Sequence, residues 1–317
     1  MDKLATAMKV VGKDDSKTLK GEERTDSTVK QYLTRLVKLN NDKPFTNLKF
    51  LMDKDAIANV IKDKAESTQI SYYNAVIIAL LTSKTYKKLK EEYQKLYTPK
   101  REALKNKDVH EKTEKQQEAM ISMEEVNTIK NKLKEEVEEF NKKKTLTEQE
   151  YDKYLYYVLV SLYTDIAPRR NMDYTHMVIL KKRPSEMNNT KNYLLLDEKK
   201  FVFNTYKTKR EHGSQELDIP ETLMKTIDQY CKVRADMKKF NGKSAEVPLL
   251  VHHNGKEVYH SNGITKLLNK VFGKNVACTA LRHIYLSDKY ADITKEKIKD
   301  ASDMAHSLSL QNEYIKF

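Results

Sequence analysis

The sequence predicts an α+β protein that is mainly α, with one small antiparallel β-sheet, arranged as an N-terminal helical bundle followed by a larger second domain. Three observations predict this. The 317 residues exceed what a single small core usually takes. Apolar residues recur at three- and four-residue spacing over most of the chain. Only between Met177 and Ile219 do short apolar runs bounded by turn residues replace that spacing.

Taken in order, residues 1–24 are polar and aperiodic and read as a flexible arm. From Asp26 the pattern is helical: Val29, Tyr32, Leu33, Leu36 and Val37 share a face, with Asp26 or Ser27 placed as N-cap. Amphipathic stretches follow at 53–64, 67–81 and 86–96, so residues 25–97 form the bundle. Between 98 and 117 apolar residues thin out among Lys and Glu, which reads as a linker, and residues 118–317 form the second domain. There, helices are expected at 123–140 and 147–163, strands at 177–180, 193–196, 201–206 and 216–219, and helices again at 221–239, 261–272, 279–290 and 295–301.

Composition narrows the function. The 59 Lys and Arg against 46 Asp and Glu give a net charge of +13, which calls for an anionic partner. With no apolar run long enough to span a bilayer, nucleic acid is the leading candidate, although a solvated Lys/Glu surface has the same composition. No secretory signal is visible, so an intracellular location is expected, in cytoplasm, host nucleus or viral factory. Only 7 Gly are present, and neither GxGxxG nor GxxxxGK[ST] occurs, which disfavours Rossmann and P-loop enzymes. Cys231 and Cys278 have no CxxC spacing and read as two reduced thiols.

Four clusters carry potential chemistry. Arg169 and Arg170, two of nine arginines, follow a helix expected to be buried; they could equally decorate its C-terminus. Lys207 and Lys209 lie in a basic turn after a strand. Thr279, Arg282 and His283 share a helix, and His306 precedes Tyr314 near the end of the sequence. His252, His253 and His260 flank the turn signal Asn254-Gly255; a metal site is the alternative to turn histidines, but no carboxylate or Cys adjoins them in sequence.

In their order, the "PRRNMDY" run with Arg170, the turn lysine, "LRHIYLS", "MAHS" and a final tyrosine resemble the tyrosine recombinase (phage integrase) family. The wording is closest to integrases of large DNA viruses of protists and their satellite viruses. The motifs span Met123 to the C-terminus, and the preceding bundle is similar to the family's core-binding domain in architecture alone.

The resemblance implies a recombinase catalytic domain and an enzyme of DNA recombination and integration that cleaves and rejoins duplex DNA without metal or other cofactor. Tyr314 would be the nucleophile, forming a 3′-phosphotyrosyl bond. Arg170 and Arg282 would clamp the phosphate, Arg170 being preferred over Arg169 because Arg170-x-x-Asp173 matches the family's Arg-x-x-Glu/Asp. Lys207, with Lys209 as fallback, would protonate the leaving oxygen, and His306 would support the tyrosine. Two departures stand out. Thr279 occupies the family's usual His position, leaving His283 as a neighbouring candidate, and His306 precedes Tyr314 by one residue fewer than is common. The implied partner is double-stranded DNA held by a homotetramer, with a monomeric free protein. A catalytically impaired DNA-binding relative and a type IB topoisomerase-like enzyme are the alternatives.

Overall fold

The computed structural model describes residues 2–11, 23–105, 117, 121–234 and 247–316. The chain divides into two compact units, Met1–Glu111 and Lys112–Phe317, a division that falls inside the linker expected at 98–117.

The first unit contains α1 (Asp2–Val10), α2 (Asp26–Leu39), α3 (Lys54–Ile61), α4 (Glu66–Leu81) and α5 (Lys87–Lys105). Its centre is α4, apolar around most of its circumference and buried from Tyr72 to Leu80 except at Asn74, whose amide donates to the Tyr32 hydroxyl. Fully buried Tyr93 of α5 packs there too and donates its hydroxyl to the Leu51 carbonyl at 2.8 Å. The N-cap of α2 is Thr25 rather than Asp26 or Ser27. Helix α5 extends through residues 98–105, so the first part of the expected linker is helical.

Residues 2–10 correct the reading of 1–24 as a flexible arm. Leu4, Ala5 and Met8, at helical spacing, give a short helix one apolar face, and Met8 is fully buried in the bundle core. Arg24 closes the segment: its guanidinium donates to the Met8 carbonyl at 3.0 Å and the Val11 carbonyl at 2.5 Å, filling acceptors that a helix C-terminus leaves open. Arg24→Ala is expected to cost about 2 kcal/mol, the worth of one or two charge-assisted bonds, read as a lowered denaturation midpoint. Residues 12–22 of the expected arm lie outside the described residues.

The second unit holds α6 (Met123–Phe140), α7 (Glu148–Thr164), the one-turn α8 (Asn171–Tyr174), β1 (Val178–Leu180), β2 (Tyr193–Leu195), β3 (Lys200–Phe203), the one-turn α9 (Lys209–His212), β4 (Gln215–Asp218), α10 (Glu221–Val233), β5 (Val247–Pro248), α11 (Ser261–Phe272), α12 (Cys278–Asp303) and α13 (Leu308–Tyr314). Helices α6 and α7 both start with a capping box, Ser122 with Glu125 and Thr147 with Glu150. Helix α7 is the axis of the core, buried continuously from Tyr154 to Tyr163, with α6, α10, α11 and α12 against it.

The sheet is mixed rather than antiparallel, in the order β4-β3-β2-β1-β5. β1 and β2 pair in parallel, Ile179 opposite Leu194. The apolar runs were read as an antiparallel sheet, but residues 181–192 between β1 and β2 are long enough for a crossover connection. Ile179, Leu194, Phe201 and Phe203 face the main core, while Val178, Tyr193, Leu195 and Val202 form a small cluster on the other side. At one edge, the Arg183 guanidinium binds Glu198 and Glu216 at 2.7 Å each, and Lys200 lies 3.7 Å from Glu216 and from Asp218.

A further correction concerns the end of the chain. Helices expected at 279–290 and 295–301 are one continuous helix, α12. The intervening Ala291-Asp292-Ile293-Thr294 contains no Gly or Pro to interrupt it, and Lys295 pairs with Asp292 at 2.9 Å. The expected extension of α10 to residue 239 lies outside the described residues from 235 onward. Among the described residues no helix is long and apolar enough to cross a membrane, and the side chains of Cys231 and Cys278 are buried.

Candidate functional site

Helix α7 delivers the chain into Pro168-Arg169-Arg170, and the turn that follows is fixed on every side. Buried Asn171 accepts from the Tyr163 hydroxyl at 2.5 Å and donates to the Ser261 carbonyl (2.9 Å) and the Thr265 hydroxyl (3.0 Å) of α11. Tyr174 is buried edge-on among Tyr163, Phe201 and Phe203. Arg170 stands at the N-terminal edge of this turn, half-buried.

The two adjacent arginines have different surroundings. Arg169 donates through Nε to Asp173 Oδ2 (2.9 Å) and through Nη1 to Gln215 Oε1 (3.0 Å). Its guanidinium lies 3.8 Å from the Phe203 ring centroid and 5.0 Å from that of Tyr206. It is an internal brace, satisfied by carboxylate, amide and aromatic faces. The Arg170 side chain makes no hydrogen bond or ion pair among the described residues, and neither does that of half-buried Arg282 on the second turn of α12.

Asp173 locates these charges relative to one another. Its side chain is 4% exposed and its Oδ1 has no hydrogen-bond partner among the described residues. Burial raises its carboxyl above the ordinary range, and the charges of Arg169, Arg170 and Arg282 all act against that rise. Arg169 touches Asp173, and the charges of Arg170 and of Arg282, more than a hundred residues further along the chain, reach the same carboxylate. Arg169 neutralises Asp173, which leaves two partly desolvated cations uncompensated. Such a pair suits a bidentate oxyanion.

The raised carboxyl has a testable consequence. A group whose folded pKa lies above its unfolded value adds stability at low pH and loses it as pH rises through the folded value. Stability is expected to decline from about pH 4 upward through that window on account of Asp173. Asp173→Asn is expected to lack this component, checked by subtracting its denaturation series from that of the wild type.

Asn192 ties the lysine turn to the same place. Its amide donates to the carbonyls of Asp173 (2.8 Å) and Thr205 (2.9 Å) and accepts from the amides of Asn204 and Thr205, each at 2.8 Å. Tyr206 follows, against Arg169, and then Lys207, exposed and without a side-chain partner among the described residues. Lys209 is engaged, donating to the Asn189 carbonyl at 3.1 Å. Asn171, Asn192 and Gln215 were not identified from sequence; an Asn beside an apolar run also marks a turn, so nothing in the pattern separates a buried brace from a loop residue.

Thr279 is exposed on the first turn of α12, and His283 is exposed beside Arg282. His306 and Tyr314 are brought together by other means. Ala305 takes a positive φ of 55°, Ser307 caps α13, and the two rings lie 5.8 Å apart at 46°. Nε2 of His306 is buried without a partner among the described residues, whereas Tyr314 is 67% exposed.

This second pair is not beside the arginines. Helix α12 runs unbroken from Arg282 to Lys297, whose ammonium reaches Asn312 of α13 at 2.9 Å. Those fifteen residues span about 22 Å at helical rise. In this conformation the phenol and the Arg170–Arg282 pair of one chain do not meet at a single phosphorus.

The histidines near the Asn254-Gly255 turn find carboxylates that the sequence left distant. His253 lies 3.2 Å from Glu148 and 3.9 Å from Asp152, both on α7. The turn itself forms as expected, with Gly255 at φ 76° and its amide donating to the His252 carbonyl. Among the described residues no group of three or more His, Cys, Asp and Glu side chains could hold a metal ion. Comparisons with protein-family models, curated proteins and solved structures give no match.

Proposed function

We propose that the chain is a tyrosine-type site-specific DNA recombinase or integrase. The observation that carries this reading is that Arg170 and Arg282 are half-buried and make no side-chain hydrogen bond or ion pair among the described residues, and that the charges of both act on buried Asp173. Two guanidiniums complement the charge that builds on the non-bridging oxygens of a phosphodiester under attack. A net charge of +13 supplies the sequence-independent hold on DNA.

In the proposed reaction, the Tyr314 phenol gives up its proton to solvent and its oxygen forms a bond to the scissile phosphorus while the bond from phosphorus to the 5′-oxygen breaks. Lys207 gives its proton to that leaving oxygen, and the reverse steps reseal a strand. His306, whose ring lies against that of Tyr314, positions the phenol. Cleavage additionally requires that Tyr314 approach an Arg170–Arg282 pair from which α12 holds it away.

A nicked duplex bearing the cognate site, which traps the covalent intermediate, tests the reading. Trypsin cleaves after Lys299 and Lys316, releasing a peptide in which Tyr314 is the sole tyrosine. The expected result is DNA attached to that peptide in mass spectrometry. Tight binding with no attached peptide would favour a binding protein without catalysis.

A further inference from the structure

A general acid has to stand within hydrogen-bond reach of the oxygen it protonates, and a misplacement of about 1 Å can cost about 10²-fold in rate. Lysine meets that demand poorly, because its ammonium rides on a flexible four-carbon stem. The Lys207 side chain is exposed and makes no hydrogen bond or ion pair among the described residues. Its placement is therefore inherited from the backbone of its turn.

That backbone is gripped by Asn192, which is 1% exposed and lies just before β2. An amide side chain has two donor and two acceptor positions, and Asn192 fills all four. Its Oδ1 accepts from the amides of Asn204 and Thr205, each at 2.8 Å, and its Nδ2 donates to the Thr205 carbonyl at 2.9 Å. The fourth bond runs the other way, from Nδ2 to the Asp173 carbonyl at 2.8 Å. The Asn192 main-chain carbonyl accepts from the Val178 amide of β1 at 2.9 Å, so the bridge is anchored to the sheet as well.

The two ends of the bridge single it out. Thr205 lies shortly before Lys207, and Asp173 belongs to the turn that Arg169 and Arg170 open. Bonds that served stability alone could run to any neighbouring strand; these join the lysine turn to the arginine turn. Tyr206 closes the far side, its hydroxyl donating to the Gly213 carbonyl at 2.8 Å and its ring centroid 5.0 Å from the Arg169 guanidinium. We infer that Asn192 is a positioning residue for protonation of the leaving oxygen, setting Lys207 relative to the phosphate that Arg170 and Arg282 hold. It acts through Lys207, and this role rests on the strand-cleavage reading.

A change of leaving atom tests the role. In a nicked duplex whose scissile 5′-oxygen is replaced by sulfur, the phosphorus–sulfur bond breaks to a thiolate, which needs no proton because a thiol is far more acidic than an alcohol. Adduct formation is timed on both duplexes with protein in excess, so that affinity does not enter, after circular dichroism shows each variant folded. Asn192→Ala is expected to be about 10²-fold slower than wild type on oxygen and within about threefold of it on sulfur. Lys207→Ala should follow the same pattern, and the double variant should be no slower on oxygen than Lys207→Ala, since both changes remove help from one proton transfer. If Asn192→Ala does not fold, Asn192→Asp, of the same shape but without the two donors, goes through the same comparison. Slow reaction of the Asn192 variant on both duplexes would overturn the role, as would a double variant slowed by the product of the two single losses. So would a Lys207→Ala defect that sulfur leaves in place, because Lys207 would then not be the acid. A wild type that forms adduct on neither duplex would instead sink the strand-cleavage reading, and the positioning role with it.

Discussion

Tyr314→Phe is expected to form no covalent adduct on a nicked cognate duplex while binding that duplex within about twofold of wild type. The substitution removes only the phenolic oxygen, and the ring is 67% exposed, so a change of about 0.5 kcal/mol or less in folding or binding is the ordinary outcome for such a site. The chemistry is affected without any such moderation, because the bond to phosphorus is formed by the deleted atom. A gel-shift titration beside a denaturing gel of the same samples separates the two effects. Persistence of the adduct in the variant would assign the nucleophile to another of the nineteen tyrosines.

Arg282→Ala is expected to lower the rate of strand cleavage by about 10²–10³-fold, the usual cost of removing one donor to a developing oxyanion. Affinity for duplex should change far less, since one cation is lost among 59 Lys and Arg. Arg282→Lys should fall between: the charge remains, but a lysine lacks the planar fork that engages two oxygens together. The same hierarchy is expected at Arg170. Arg169→Ala should differ in kind, lowering thermal stability as well as cleavage, because Arg169 holds Asp173, Gln215 and two aromatic rings together. Equal losses of binding and cleavage in Arg282→Ala would remove that residue from the proposed reaction.

The long helices were legible because their signals are local: α6 and α7 announce themselves by capping boxes and by apolar spacing. Features that depend on distant partners were not. Helix α1 is short, and it is fixed by Arg24 and by the core around Met8, neither of which its own spacing shows. The parallel pairing of β1 with β2 follows from how the chain crosses over between them, whereas the apolar runs fit either direction. At the site, the motif residues were visible, but their fates were not. The Arg-x-x-Asp spacing favoured Arg170 over Arg169, but only the contacts of Arg169 with Asp173, Gln215 and the aromatic rings of β3 and its turn show that it is the engaged one. The continuity of α12 was missed because an apolar gap was read as a break, although no helix-breaking residue lies there.

The edge of the sheet at β4 bears on how this protein behaves when concentrated. A bare strand edge is a template onto which another chain can add, the first step toward fibrils. Here Glu216 and Asp218 alternate along the outermost strand, and the Arg183 and Lys200 side chains stand beside them, so an incoming strand would have to strip water from several ions at once. The opposite edge is only two residues long and includes Pro248, which has no amide hydrogen to offer. Two quite different devices thus give the sheet ends that resist strand-by-strand growth.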